Sequence, residues 1–196
     1  MLNQWEPAES ARSKLAAAGE RCIHLAPHAA EGFLLGRYHQ TRGDHAAAIE
    51  VLETAIAKNP SFAVAHALLA QALNLCGRSD EGLVRMQHAL RLGPRSFVAG
   101  LATLHFSRGE FGAALECAER AIAITPRYTF ARVIAAAAAW RAGEVVRGRD
   151  HLAQLRAMYP AFDPRGFLAT FGVGVQAVEQ VTDALHQLEA LVAIGR

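Results

Sequence analysis

Apolar residues along this chain recur at helical spacing. In the segment from Ala29 to Pro60, Phe33, Leu34 and Leu35 come first, then Gly36 and Tyr38, and the helix they predict stops at Thr41-Arg42-Gly43. Glycine ends a helix at little cost because it enters the left-handed conformation freely. Asp44 follows, with a carboxylate able to cap the next helix. Ala48, Ile49, Leu52, Ala55 and Ile56 then recur at steps of one, three and four, one face of a second helix. Asn59-Pro60 ends it, since proline cannot continue the backbone hydrogen bonds.

The same order returns three times. Phe62, Val64, Leu68, Leu69 and Leu73 lead to Gly77, with Ser79 as the expected cap and Leu83, Met86, Ala89 and Leu90 facing inward before Pro94. Leu101, Leu104 and Phe106 lead to Gly109, and Ala114, Leu115, Ala118, Ala121 and Ile122 run to Pro126. Phe130, Val133, Ile134 and Trp140 lead to Gly143, and Leu152, Leu155 and Met158 run to Pro160. The turn glycines stand 34, 32 and 34 residues apart, and each proline follows its glycine by 17. Two independent marks that shift together define a repeated unit, and a helical period near 34 predicts an all-α solenoid of antiparallel helix-turn-helix units. Small residues also hold fixed places. Gly36, Ala70, Ala102 and Ala136 each lie seven before the turn glycine, and Ala55, Ala89 and Ala121 twelve after it. Larger side chains there would hold crossing helices apart.

These positions resemble the tetratricopeptide repeat (TPR). Leu35-Gly36, Gly43-Asp44, Ala48, Ala55 and Pro60 stand where that family places Leu-Gly, Gly, Ala, Ala and Pro, and the match covers about residues 29–160. The resemblance implies a right-handed superhelix with a C-terminal capping helix. Some positions depart from the family. Its Trp position holds Gly32, His66, Val98 and Arg132, its second aromatic position holds His39, Leu73, His105 and Ala139, and its second-helix alanine becomes Gly82 and Gly148. These departures are expected to weaken individual repeats. The third unit is two residues short between Pro94 and Gly109, which should change the crossing of the second and third hairpins.

A single domain is expected over 1–196: a partial leading repeat at 8–27, units at 28–60, 61–94, 95–126 and 127–160, and capping helices at 161–196. Ala11 to Leu25, closed by Pro27, reads as the second helix of the leading repeat. Downstream, Asp163-Pro164 is a strong helix start, a capping carboxylate followed by proline at the first helical position. A last helix is expected from Val175 to Ile194, with Val178, Val181, Leu185, Leu188 and Val192 forming an amphipathic seam. That seam either covers the apolar end of the stack, pairs two copies of the chain, or lies in the chain's own groove. Phe162-Asp163-Pro164, Phe167-Leu168 and the 175–194 helix also resemble, more weakly, the TPR segment attached to bacterial class III adenylate or guanylate cyclases and winged-helix regulators. The catalytic or DNA-binding domain of those proteins has no counterpart in these residues.

Composition narrows the function. Hydrophobic residues are 52% and charged ones 19%, enough apolar surface to bury a core. The net charge of +2 is spread without a basic run, so nucleic acid is not an expected partner. Cys22, Cys76 and Cys117 are far apart and fit small buried hydrophobes in a reducing compartment better than a disulfide frame or zinc site. Residues 1–20 lack a signal-peptide pattern, and the longest uncharged run, Gly166 to Val178, is too short for a bilayer span. A soluble, cytoplasmic, bacterial protein is the expectation. His39 and His105 occupy equivalent places, four before the turn glycine, with no Asp, Glu or Cys three or four residues on, and read as half-buried rings. His24 and His28 are separated by Pro27, which argues against a shared metal. Cys117 lies beside carboxylates that do not activate a thiol. Gly172-Val173-Gly174 follows no strand, so it is no phosphate loop. No catalytic group, metal site or cofactor is expected.

In TPR proteins the first helix of each unit lines the concave surface. Carried over by register, that surface is Phe33, Arg37, Gln40 and Thr41, then Val64, Ala67, Gln71 and Asn74, then Ala99, Thr103 and Phe106, then Phe130, Val133, Ala137, Trp140 and Arg141. The family's carboxylate-clamp mode needs a basic cluster, and only Arg37 and Arg141 qualify, at opposite ends. The groove is polar toward the second unit and apolar toward the fourth. Trp140, Phe130 and Phe106 are candidate anchors for an amphipathic helix or extended segment, or else packing for the tail. The expected function is a non-enzymatic scaffold that binds a partner protein in this groove. The alternatives are a regulatory segment of a signalling protein and a homodimer built on the terminal seam.

Overall fold

A computed structural model describes residues 36–37, 39–40, 42–93, 97–169 and 175–194. The expected leading repeat at 8–27, with Phe33, Tyr38, Thr41 and Pro94, lies outside them. Gly36, Arg37, His39, Gln40 and Arg42 are helical and belong to the first helix of the first hairpin. The helices that follow are α1 (His45–Lys58), α2 (Ala63–Leu75), α3 (Ser79–Leu92), α4 (Val98–Ser107), α5 (Phe111–Ile124), α6 (Thr129–Arg141), α7 (Val145–Met158), α8 (Pro164–Ala169) and α9 (Val175–Ile194). No strand occurs among the described residues. The fold is an all-α solenoid, its hairpins α2–α3, α4–α5 and α6–α7 stacked on the one that ends in α1.

Each hairpin turns on its glycine. Gly43, Gly77, Gly109 and Gly143 have φ of 79°, 76°, 76° and 81°, where a side chain would be strained. The residue after each glycine donates its N–H to the carbonyl five residues back, Asp44 to His39, Arg78 to Leu73, Glu110 to His105 and Glu144 to Ala139. Four turns therefore share one hydrogen-bond geometry, which satisfies carbonyls the helix end would leave bare. Hairpins are joined by a tighter turn: Phe62, Tyr128 and Phe162 donate to the carbonyls of Asn59, Thr125 and Tyr159, with Pro60, Pro126 and Pro160 just inside. Proline suits that place because its φ is already set.

The caps differ in part from expectation. Asp44 accepts from the Ala47 N–H, and Asp163 accepts from the Arg165 and Gly166 N–H groups, as the sequence implies. Ser79 does not cap. The cap position of α3 is Arg78, whose guanidinium pairs with Glu81, and the Ser79 hydroxyl instead donates to Asn74 at 2.7 Å. The turn geometry starts α3 one residue earlier than the serine implied.

The small-residue columns sit at the crossings. Ala70, Ala102 and Ala136 are fully buried. A methyl group on Gly82 would stand 2.7 Å from the Ala70 carbonyl oxygen, and one on Gly148 3.3 Å from that of Ala136. The two glycines that depart from the family pattern thus let α3 and α7 approach the backbones of α2 and α6.

The core is not continuous. Ala48, Ile49, Leu52, Leu68, Leu69 and Leu73 form one cluster, and Ala67, Ala70, Met86, Ala89 and Leu104 a second. A third, much larger cluster runs from Val98 through α5, α6, α7 and α8 to Leu188. The α9 residues Val178, Val181, Leu185 and Leu188 are buried in it, and α9 packs on α6 and α7. The apolar seam therefore closes the end of the stack within one chain. Arg156 fastens it, pairing with Glu189 and donating to the Phe162 carbonyl at 2.8 Å.

Candidate functional site

The first helices pack on one another along the stack, α2 on α4 and α4 on α6, whereas α3, α5 and α7 scarcely touch. In a curved stack the helices that meet are on the inside, so α2, α4 and α6 line the inner face. Arg37 of the first hairpin and Tyr128, before α6, are close enough for the guanidinium to interact with the phenol. Burial lowers the pKa of Arg37 and raises that of Tyr128, and their mutual attraction offsets part of each shift.

The candidates on this face fall into two sets. Gln40, Phe106, Phe130 and Val133 are buried, Phe106 at 2% exposure and Val133 at 0%. They have little surface to offer a partner in the single chain. Phe106 meets Phe111 edge to face at 5.3 Å, and Gln40 donates its amide to the Leu68 carbonyl at 3.0 Å, tying the first hairpin to the second. Ala67, Ala99 and Ala137 are likewise core. Arg37, Val64, Gln71, Asn74, Thr103 and Trp140 are half-buried, and Arg141 is exposed.

Several of these already have partners. The Trp140 ring packs against the large core and its Nε1 donates to Gln187 of α9 at 2.6 Å. Arg141 lies over the Phe111 ring, 4.6 Å from its centroid. Asn74 donates to the Ser107 hydroxyl at 3.0 Å and accepts from Ser79. Thr103 donates to the Ala99 carbonyl at 3.2 Å. Residues 36–42, α2, α4 and α6 contain no Asp or Glu, while α1, α3, α5, α7 and α9 all do. Among the described residues, the inner face therefore carries no side-chain carboxylate from its own helices.

Of the seam residues, Val178, Val181, Leu185 and Leu188 are buried against the stack in the single chain, so they present no free face to a second copy. The side chain of Val192 lies outside the described residues.

The structure adds polar contacts that the spacing rules missed. His105 meets Glu110 at 2.5 Å and His39 lies 3.7 Å from Asp44, each pair spanning a turn glycine five residues apart. A helix search at three and four residues passes over such pairs, because the left-handed glycine carries the next residue back over the helix end. His66 and Arg132, in the family's Trp column, both reach the carbonyl of the preceding turn proline. His66 Nε2 is 3.0 Å from the Pro60 oxygen, and Arg132 donates to the Pro126 oxygen at 2.7 Å and to Gln154 at 2.6 Å. These departures serve as polar fasteners. On the outer face, Glu119 of α5 accepts from Arg147 and His151 of α7. Burial raises the Glu119 carboxyl pKa, but the hydrogen bonds and charges of those two partners outweigh it and hold the group below its ordinary value. Among the described residues no group of three or more His, Cys, Asp or Glu could hold a metal, and no helix is long and apolar enough to cross a membrane.

Comparison with known proteins agrees with the fold. Residues 41–104 and 96–120 match models described as tetratricopeptide repeat. No curated protein matches the chain. Among solved structures, the chain is similar to the APC/C hetero-tetramer Cut9-Hcn1 at a TM-score of 0.71 and 17% identity, over 92% of this chain but only 36% of that one. It is similar to TTC0263, a thermophilic TPR protein of Thermus thermophilus, at a TM-score of 0.67 and 17% identity, over 87% and 88% of the two chains. MamA gives a TM-score of 0.58 at 19% identity, over 81% of this chain and 96% of that one.

Proposed function

We propose that this chain, a tetratricopeptide-repeat protein, is an interaction scaffold that holds an extended or helical segment of a partner protein against its inner face. One observation carries the reading: the inner helices bring Arg37 and Gln71 onto a half-buried surface with no Asp or Glu of its own among the described residues. Such a surface can donate hydrogen bonds to a partner's backbone or side chains without repelling its carboxylates. The reading differs from the sequence-based one in where the anchors lie. Phe106 and Val133 are core, and Trp140 is held by α9, so the contact region is centred on the second and third hairpins, with Val64, Gln71 and Thr103 at its middle. One similar structure, Cut9-Hcn1, is itself a hetero-tetramer, which supports a stack of this shape as a holder of other chains.

The test is site-specific photo-crosslinking in the native cell, with a crosslinking amino acid at Gln71 and, separately, at Val84, which is 62% exposed on α3. A discrete adduct from Gln71 and none from Val84 is expected. Adducts from Val84 alone would place the interaction on the outer face and sink the proposal.

A further inference from the structure

We propose that the junction between the second and third hairpins is a hinge closed by a charged latch, and that ionic strength sets the curvature of the inner face through it. The proposal goes beyond the scaffold reading and does not depend on any partner. Two features locate the hinge. The fully buried apolar packing there is thin: the local cluster holds three alanines, Leu104 and Met86, with the half-buried Phe97 and Leu101 against it, and α3 packs less extensively on α4 than α5 does on α6. Met86 also fills the space above Gly100, where a β-carbon would stand 2.6 Å from its terminal methyl. A thioether chain over a glycine is deformable packing. Regions with few buried apolar contacts open at the lowest free-energy cost.

The latch crosses the same junction. Arg108, at the end of the third hairpin's first helix, pairs with Asp80 of α3. Its other contact is Glu110, at 2.8 Å, which in turn meets His105 at 2.5 Å. Beside this pair, Asn74 of α2 donates to Ser107 of α4 at 3.0 Å. The Asp80 side chain is 87% exposed, so solvent ions reach the pair and weaken it. The third-to-fourth junction also carries charge, Arg147 on Glu119. There a continuous apolar core holds the helices whether or not the charges attract.

Small-angle scattering on the full chain, from about 0.1 M to about 1 M salt, tests this, because the screening length then falls from about 10 Å to about 3 Å. The radius of gyration of the wild type is expected to change across that range. Asp80→Asn is expected to sit at the wild type's high-salt value throughout, and Arg108→Gln to do the same. Glu119→Gln is expected to keep the wild-type response. Circular dichroism establishes that each variant is folded, and the exposure of Asp80 makes its substitution a mild one. A wild type that does not respond to salt, a response in Asp80→Asn equal to wild type, or an equal loss in Glu119→Gln would each overturn the proposal.

Discussion

The second-to-third and third-to-fourth junctions are built from the same kind of unit and hold together by different physics. Across the third-to-fourth junction one apolar cluster runs unbroken from Val98 to Leu188, and Arg141 of α6 lies over the Phe111 ring of α5. Across the second-to-third junction the apolar cluster is five residues, and the Asn74–Ser107 and Arg108–Asp80 contacts do much of the joining. The two differ where the chain is two residues shorter between Pro94 and Gly109. In the second and fourth units a side chain six residues after the proline reaches back to its carbonyl, His66 to Pro60 and Arg132 to Pro126. In the third unit the family's Trp column holds Val98, four residues after Pro94 and apolar. The third unit therefore carries an apolar residue in the column that holds a polar fastener in the second and fourth units.

The largest test of that contrast is a pair of truncations. Ile134→Ala, in the continuous core, is expected to cost about 3–4 kcal/mol, and Met86→Ala about 2 kcal/mol, because a deformable site collapses around the loss. Chemical denaturation reads both, and a Met86→Ala cost equal to or above that of Ile134→Ala would erase the distinction. Next, Gly82→Ala is expected to destabilise by about 2 kcal/mol, since its methyl meets the Ala70 carbonyl oxygen, which belongs to backbone and cannot swing away. Gly112→Ala, where a β-carbon would meet nothing within 4 Å, is the control and should be neutral or slightly stabilising.

Acid should act on the start of the second hairpin and on the third-to-fourth junction in different pH windows. Burial holds the His66 imidazole pKa below its ordinary value of 6.5, with His88 and Arg85 adding to the effect and the Pro60 carbonyl opposing it. The unfolded chain then binds that proton more readily, so this contribution to stability is lost as pH falls from about 6.5 downward. His66→Gln should flatten that part of the stability curve. Glu119 is lowered from 4.5, so what Arg147 and His151 contribute through it persists above that value and is lost below it. Glu119→Gln is expected to remove about 0.5 kcal/mol at neutral pH, a small figure because the pair is partly exposed. If Glu119→Gln instead unfolds the chain, charge rather than apolar packing holds the third-to-fourth junction.

The legible part of the molecule was the local part. Four turn glycines are left-handed and the helices between them lie where periodicity placed them, because a helix end and a turn depend on a few consecutive residues. The last helix spans Val175–Ile194 as its seam implied, and Val178, Val181, Leu185 and Leu188 of that seam are buried. The candidate site was less legible. Register alone put Phe106 and Val133 on the inner face, but a first helix in the middle of a stack is covered from both neighbouring hairpins, and those residues face the cover. Register left Trp140 as either a partner anchor or packing for the tail, and the Gln187 side chain of α9, 47 residues away, takes its N–H. His105 looked solitary because its carboxylate lies beyond a turn that the three-and-four rule does not cross.

Repetition, helix boundaries, turn conformation and the apolar face of each helix follow from neighbours in sequence, because backbone hydrogen bonding and capping act over a turn or two. Which inner-face residues remain open, which charges meet, and whether a junction is stiff or hinged depend on the angle at which hairpins cross. That angle is set by small residues and fasteners in contact across hairpins, so it appears only when the units are stacked.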